Sequence, residues 1–232
     1  MNFVCIKWGT KYSPNYVNNL YRMVQEHYHD DFTFTCYTDD DTGLNCDVRD
    51  IPDVEPLHPK FWFGKENYCW DRAKFLVFNS HNFLGYEGKW CYLDLDVIIQ
   101  SDITDIHELA LKPRIIHSRW QNPKHKHDRK FIDVRGTFYN SSVMLWKDAT
   151  HIWRHYTSNI DEYIVKYPNG DDTFLYHEGF TFEHLPHNEV YSYLYSGRKY
   201  RPEYPICLLN GLDRHPEIEK EYDEFCMHQV GD

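Results

Sequence analysis

The 232-residue chain is predicted to fold as an α/β protein with a mostly parallel central sheet flanked by helices. Three observations carry this. Phe3–Val4–Cys5–Ile6 reads as a buried strand, Val17, Leu20, Val24 and Tyr28 recur at helical spacing, and Phe32, Phe34 and Cys36 alternate with threonine. Strand, helix and strand in such quick succession make the opening βαβ unit of a parallel sheet. Further on, Trp90–Cys91–Tyr92–Leu93–Asp94–Leu95–Asp96–Val97–Ile98–Ile99 is apolar enough for an interior strand, yet two carboxylates interrupt it. Finally, a 41% hydrophobic content over this length fits one sizeable domain spanning 1–232.

The elements follow in order. Ser13 suits an N-cap and Pro14 the first helical position, so the first helix runs to about His29. The second strand ends in the acidic turn Asp39–Asp40–Asp41. Leu44 to Lys65, with Pro52, Pro56 and Pro59, reads as extended loop, and a helix beginning near Trp70 carries Ala73, Phe75, Leu76 and Phe78. The turn Tyr86–Glu87–Gly88–Lys89 feeds the strand with the paired aspartates. Ile103, Ile106 and Leu109 suggest a short helix, Arg114–Ile115–Ile116–His117 a strand, and Phe138 to Trp146 a strand with a polar interruption at Asn140–Ser141–Ser142. A helix includes Ile152, Trp153 and Tyr156. The turn Pro168–Asn169–Gly170 precedes another that starts at Asp171–Asp172, one aspartate serving as N-cap. Cys207–Leu208–Leu209 reads as a late buried strand, and His184 as structural.

Composition narrows the function classes. A net charge of −11 disfavours a general nucleic-acid binder, whose affinity comes from neutralising phosphates. The seven cysteines form no CxxC pair and read as buried free thiols of a reducing, cytoplasmic compartment. No signal-like h-region or run of 18 apolar residues occurs, so neither secretion nor a transmembrane segment is expected. Most of the aromatic residues, 17% of the chain, are expected to pack in the interior.

Unpaired buried carboxylates are costly, so Asp94 and Asp96 are expected at a strand end beside a compensating cation. In a continuous strand both point to one face; if the backbone turns there, they separate and divide their roles. Hard oxygen ligands suit Mg²⁺ or Mn²⁺, which keep positions open for phosphate oxygens. Lys74 is placed to reach a diphosphate, and Arg72 to pair with acids or touch the ligand, the alternative for both being solvated helix-surface charge. Trp8, Thr10, Lys11 and Tyr12 follow the first strand and Asp39 ends the second, where a nucleotide would be met. The first loop has no GxGxxG or Walker pattern. Asn140, Ser141 and Ser142 need hydrogen bonds if buried, from sugar hydroxyls or from local backbone. Residues 118–136 crowd basic side chains into an acidic protein and read either as a basic loop beside the site or as a solvated face.

At these residues the chain resembles the nucleotide-sugar glycosyltransferases of the GT-A fold, especially small bacterial and viral ones distantly related to the glycogenin-like family 8. "CIKWGTKYSPNYVNNLY", "TCYTDD", "WDRAKF", "YLDLDVII", "FNSSVMLW", "GDDTFLY" and "VYSYLY" occur in the expected order over nearly the whole chain. The resemblance implies a nucleotide-binding half, about 1–100, and a donor-sugar and acceptor half, about 101–232. Asp94 and Asp96 would be the metal-binding DxD pair, with Asp96 the firmer ligand. Lys74 would touch the donor diphosphate or sugar, and Asn140, Asp171 and Asp172 would line the reaction region. Where relatives carry a late His-Gly motif this chain has Asn210–Gly211, with Arg214 and His215 beyond, and His215 stands as the substitute third ligand. The implied activity is metal-dependent transfer of a sugar, with retention, from a nucleoside-diphosphate sugar (UDP-sugar favoured) to a hydroxyl of a glycan or small molecule. The alternatives are a catalytically impaired nucleotide-sugar binder and a sugar-phosphate nucleotidyltransferase, the latter disfavoured by the missing Gly-rich phosphate loop.

Overall fold

The computed structural model describes residues 1–54, 60–62, 65–67, 72–118, 137–167, 170–210, 220 and 222. Strand β1 (Asn2–Lys7), helix α1 (Pro14–His27) and strand β2 (Thr33–Thr38) form the expected βαβ unit. Ser13 sits at the N-cap in extended conformation and Pro14 opens α1, although the Ser13 side chain makes no capping bond. α1 buries Tyr16, Val17, Leu20, Met23 and Val24.

Strand β3 (Asp47–Asp50) pairs parallel to β2, within the segment read as loop. Its residues are mostly exposed, so a polar edge strand left no hydrophobic signal. Strands β4 (Lys60–Trp62) and β5 (Lys65–Asn67) make a separate antiparallel pair. The helix expected near Trp70 is a 3-10 helix over Arg72–Asn79, followed by α2 (Ser80–Leu84). Phe75, Leu76, Val77 and Phe78 are all buried, so this stretch has no solvent-facing stripe to impose α periodicity.

The run from Trp90 to Ile99 is two strands. β6 (Trp90–Leu93) joins the main sheet and β7 (Val97–Ile99) a smaller one, with Asp94–Leu95–Asp96 as the turn between them. Then come α3 (Ile106–Leu109), β8 (Arg114–His117), β9 (Tyr139–Trp146), α4 (Thr150–Ser158), α5 (Ile160–Lys166), α6 (Asp171–His177), β10 (Glu183–His184), β11 (Val190–Ser192), a 3-10 turn at Leu194–Ser196 and β12 (Ile206–Leu208).

Among the described residues the main sheet has the order β10-β8-β9-β6-β1-β2-β3, parallel except for β9. From β1 the chain goes outward to β2 and β3, then returns on the other side to β6. The ends of β1 and β6 therefore flank the switch point where open α/β sheets bind ligands. One core packs α1 and the small β11-β12-β7 sheet against one face; a second, rich in edge-to-face aromatic pairs, packs the 3-10 helix, α4, α5 and α6 against the other. Cys5, Cys36, Cys91 and Cys207 are buried free thiols and Cys46 is half-buried. No helix among the described residues is long and apolar enough to cross a membrane.

Candidate active site

The paired aspartates separate because the backbone turns at them. The Asp94 N–H still donates to Ser142 O (2.9 Å), continuing the β6–β9 ladder by one residue, and Asp96 O accepts from Leu209 N (3.1 Å), tying the turn to the end of β12. The two aspartates thus sit at the ends of strands in different sheets, Asp94 just after β6 and Asp96 just before β7.

Asp94 is tightly held. Its Oδ1 accepts from the Tyr92 hydroxyl at 2.6 Å and lies 2.9 Å from Lys74 Nζ, which donates to Oδ2 at 3.1 Å. Tyr92 reaches it because residues i and i+2 of a strand share a face; the sequence reading missed Tyr92, though that spacing was there to use. Lys74 also donates to Ser141 Oγ (3.0 Å) and lies 3.7 Å from Asp171 Oδ2. Burial alone would push its ammonium down, but the charges of Asp171, Asp94 and Asp172 overcome this and hold it above the ordinary lysine value. Lys74 is therefore a buried ion-pair centre, and the solvated helix-surface reading is corrected: a 3-10 helix buried all round points it inward.

Asp96 differs. Burial, followed by the charge of Asp94, raises its carboxyl to about 7 against the opposing pull of Lys74 and Lys11. Lys11, on the loop after β1, is the weaker of those two pulls.

Asp171 and Asp172 are both buried in the first turn of α6, and the N-cap is Gly170 (φ 97°), not an aspartate. A positive φ suits glycine, which frees both aspartates to turn inward. Asp172 Oδ1 accepts from the Ser141 N–H at 2.8 Å, whereas Asp171 Oδ2 is buried without a hydrogen bond. Asn140 Oδ1 accepts from the Ser142 N–H at 3.2 Å, so local backbone satisfies its oxygen and leaves its NH₂ as a donor. Beside this stretch β8 shifts register against β9, Ile115 facing Met144 and Ile116 facing Asn140, and of the three polar residues it is Ser141 whose hydroxyl meets Lys74.

At the other side of the site, Asp39 accepts from the Gly9 N–H with both oxygens (3.0 and 3.1 Å) and pins the loop carrying Trp8, Thr10, Lys11 and Tyr12. Trp8 and Tyr12 are half-buried and Thr10 and Lys11 exposed. Lys11 Nζ lies 5.0 Å from the Tyr12 ring centre, and Tyr12 meets Tyr16 edge-on. Asn210, just past β12, accepts from Ser192 Oγ at 2.6 Å. That bond engages one lone pair of the amide oxygen, the atom of asparagine that binds metals. Gly211, Arg214, His215, the Arg72 side chain and the basic segment 119–136 lie outside the described residues.

Among the described residues no three His, Cys, Asp or Glu are grouped to hold a metal ion. The donor set nevertheless fits a hard divalent cation. Asp94, Asp171 and Asp172 raise the Lys74 ammonium, which in turn pulls on Asp96, a carboxyl raised first by burial and then by the charge of Asp94. A cation would rest on Asp96 and on the remaining lone-pair capacity of Asp94, with ligand oxygens completing its shell.

No family model matches the sequence, and no curated protein matches it. Solved structures do match in fold. The galactosyltransferase LgtC, crystallised with donor and acceptor sugar analogues, superposes with a TM-score of 0.61 over 98% of this chain and 96% of that one, at 13% identity. Mouse xyloside xylosyltransferase 1 in its apo form gives 0.56 over 93% and 100% at 14% identity. A glycosyltransferase involved in glycosylating the major capsid of PBCV-1 gives 0.57 over 96% and 98% at 12% identity. The chain has the GT-A glycosyltransferase fold, as its sheet order and the sequence resemblance anticipated.

Proposed function

We propose that this protein is a metal-dependent glycosyltransferase that moves a sugar from a nucleoside-diphosphate donor, UDP-sugar favoured, to a hydroxyl of a glycan or small-molecule acceptor. The observation that carries this is the convergence of Asp94, Asp96, Asp171 and Asp172 on Lys74 at the sheet's switch point. So acidic a site repels a bare diphosphate and accepts one together with a cation. The fold it shares with glycosyltransferases supports the reading.

The nucleotide would lie along the β1 loop, with the Tyr12 and Trp8 rings beside the base and Asp39, already fixed by Gly9, accepting from base or ribose. Asp96 and Asp94 would hold Mn²⁺ or Mg²⁺, which would supply positive charge to a leaving diphosphate. Lys74 keeps its proton and adds a fixed charge beside that pair, at no cost in reorganisation when the bond breaks. Asp171 Oδ2, buried without a hydrogen bond and 3.7 Å from Lys74 Nζ, would accept from a sugar hydroxyl. Asp172, spent on the Ser141 N–H, holds the floor of the pocket rather than reacting. With neither aspartate clear of partners as a base, departure and attack on one face of the sugar, with retention, is the favoured course.

The test is a panel of nucleoside-diphosphate sugars with Mn²⁺, scored by thermal stabilisation and by nucleotide release with and without acceptors. Stabilisation and release by one donor, abolished in Asp96→Ala, are expected; release that ignores metal or that substitution rejects the assignment. A second reading, a nucleotide-sugar binder without turnover, is favoured by the Ser192 bond that competes for Asn210 Oδ1. It predicts stabilisation with no release under any acceptor.

A further inference from the structure

The β11–β12 crossover, residues 193–205, is locally basic and aromatic. In a protein of net charge −11 it holds Arg198, Lys199 and Arg201 against Glu203 alone. Tyr195 and Tyr200 are 48% and 50% exposed, where most aromatics of the described residues are buried. The segment is firmly held all the same. Gln100 Nε2 donates to Arg201 O (2.7 Å) and Tyr204 O (2.6 Å), and Arg201 N donates to the Tyr191 hydroxyl (3.2 Å). Ser196 Oγ and Arg198 N both donate to Tyr193 O, at 2.9 and 3.0 Å.

Arg198 is also the single non-glycine residue with a left-handed backbone among the described residues, at φ 54°. Glycine or asparagine would sit there with less strain. The turn lies beside the site: Tyr193 N donates to Leu208 O (3.0 Å), the Leu209 N–H reaches Asp96 O (3.1 Å), and Ser192 holds Asn210. At about 4.8 Å between neighbouring strands, the start of the turn stands roughly 10 Å from β7 and its aspartate turn.

We propose that the turn from Tyr195 to Tyr200 is the acceptor-recognition surface, and that the acceptor is a saccharide bearing acidic groups. This rests on the transferase reading above, since it needs a transfer site next door. The tyrosine faces suit pyranose rings, and Arg198 and Lys199 suit a carboxylate or phosphate, the guanidinium in a two-point contact. An acidic protein repels such a ligand over most of its surface, so a rigid basic turn beside the site selects where it lands.

The test titrates the full-length protein calorimetrically with tetragalacturonate, with 6-phosphorylated mannotetraose and with neutral mannotetraose, in parallel with nucleoside-diphosphate sugar plus Mn²⁺. At least one acidic saccharide is expected to bind tenfold or more tightly than the neutral one, and which one identifies the acid. Arg198→Glu with Lys199→Glu should remove that preference. Arg198→Gly with Lys199→Gln, which relaxes the turn, should do the same while keeping the wild-type melting transition. Tyr195→Ala should weaken all saccharides alike. Equal affinity for acidic and neutral saccharides, no binding of any, an unaltered preference in the relaxed variant, or binding only to phosphatidylserine vesicles overturns the proposal. Saccharide binding through the turn without nucleotide-sugar binding would instead overturn the transferase reading and leave the surface standing.

Discussion

Replacing Asp96 by asparagine should stabilise the metal-free protein at neutral pH while destroying its proposed activity. Burial and the neighbouring Asp94 raise the Asp96 carboxyl from 3.8 to about 7. Between those values the folded protein holds a proton that the unfolded chain has released, so stability falls as pH rises. A shift of about three units at about 1.4 kcal/mol per unit sets a ceiling near 4 kcal/mol, and relaxation around a half-buried side chain brings the expected effect to roughly 2–4 kcal/mol. Asparagine matches the protonated acid in shape and carries no charge. Wild type and Asp96→Asn should therefore melt together near pH 4 in chelator and diverge as pH rises. By pH 7.5 the variant should lead by roughly 5–15 °C for a chain of this length. Mn²⁺ should close much of that gap by raising the wild type alone. A variant less stable than wild type at pH 7.5, or a gap that does not change with pH, would refute the assigned electrostatics.

At the same site Lys74→Met should act in the opposite direction. It leaves Asp94 and Asp171 without their cation and Ser141 Oγ without its donor, and breaking a buried pair costs about 3–5 kcal/mol; urea unfolding at pH 7.5 measures it, and a loss below about 1 kcal/mol would contradict a buried ion-pair centre. Away from the site, bonds from Lys166, Tyr167 and His155 overcome burial and hold the Glu178 carboxyl at about 2, below its usual 4.5. A depressed carboxylate stabilises the fold above pH 4.5 and loses that contribution as pH falls toward 2. Glu178→Gln should thus melt earlier than wild type at pH 6, with the difference shrinking through that window in calorimetric scans.

Much of the fold was legible because its signals are local and apolar. α1 followed from Ser13, Pro14 and a four-residue hydrophobic rhythm, and β8 from Arg114–His117 alone. β3 was hidden because an edge strand of charged residues has no buried face to mark it. The 3-10 helix passed for an α-helix because a segment buried all round gives no period to measure. At the site, residue type and strand-end position marked Asp94 and Asp96, while Lys74 came from the helical stretch before them and Asp171 from the start of a later helix. Their division of labour depended on long-range pairing: β6 and β7 part into separate sheets, so Asp94 joins Lys74 while Asp96 joins the end of β12. Ser192 and its grip on Asn210 come from register between β11 and β12, which no spacing along the chain announces.

The most direct measurement of the central claim is anomalous diffraction at the manganese edge from crystals grown with Mn²⁺ and a nucleoside-diphosphate sugar. A peak in contact with the Asp96 carboxylate and the diphosphate, lost in crystals of Asp96→Asn, is expected. A donor bound with no manganese at Asp96, or manganese bound elsewhere, would contradict it.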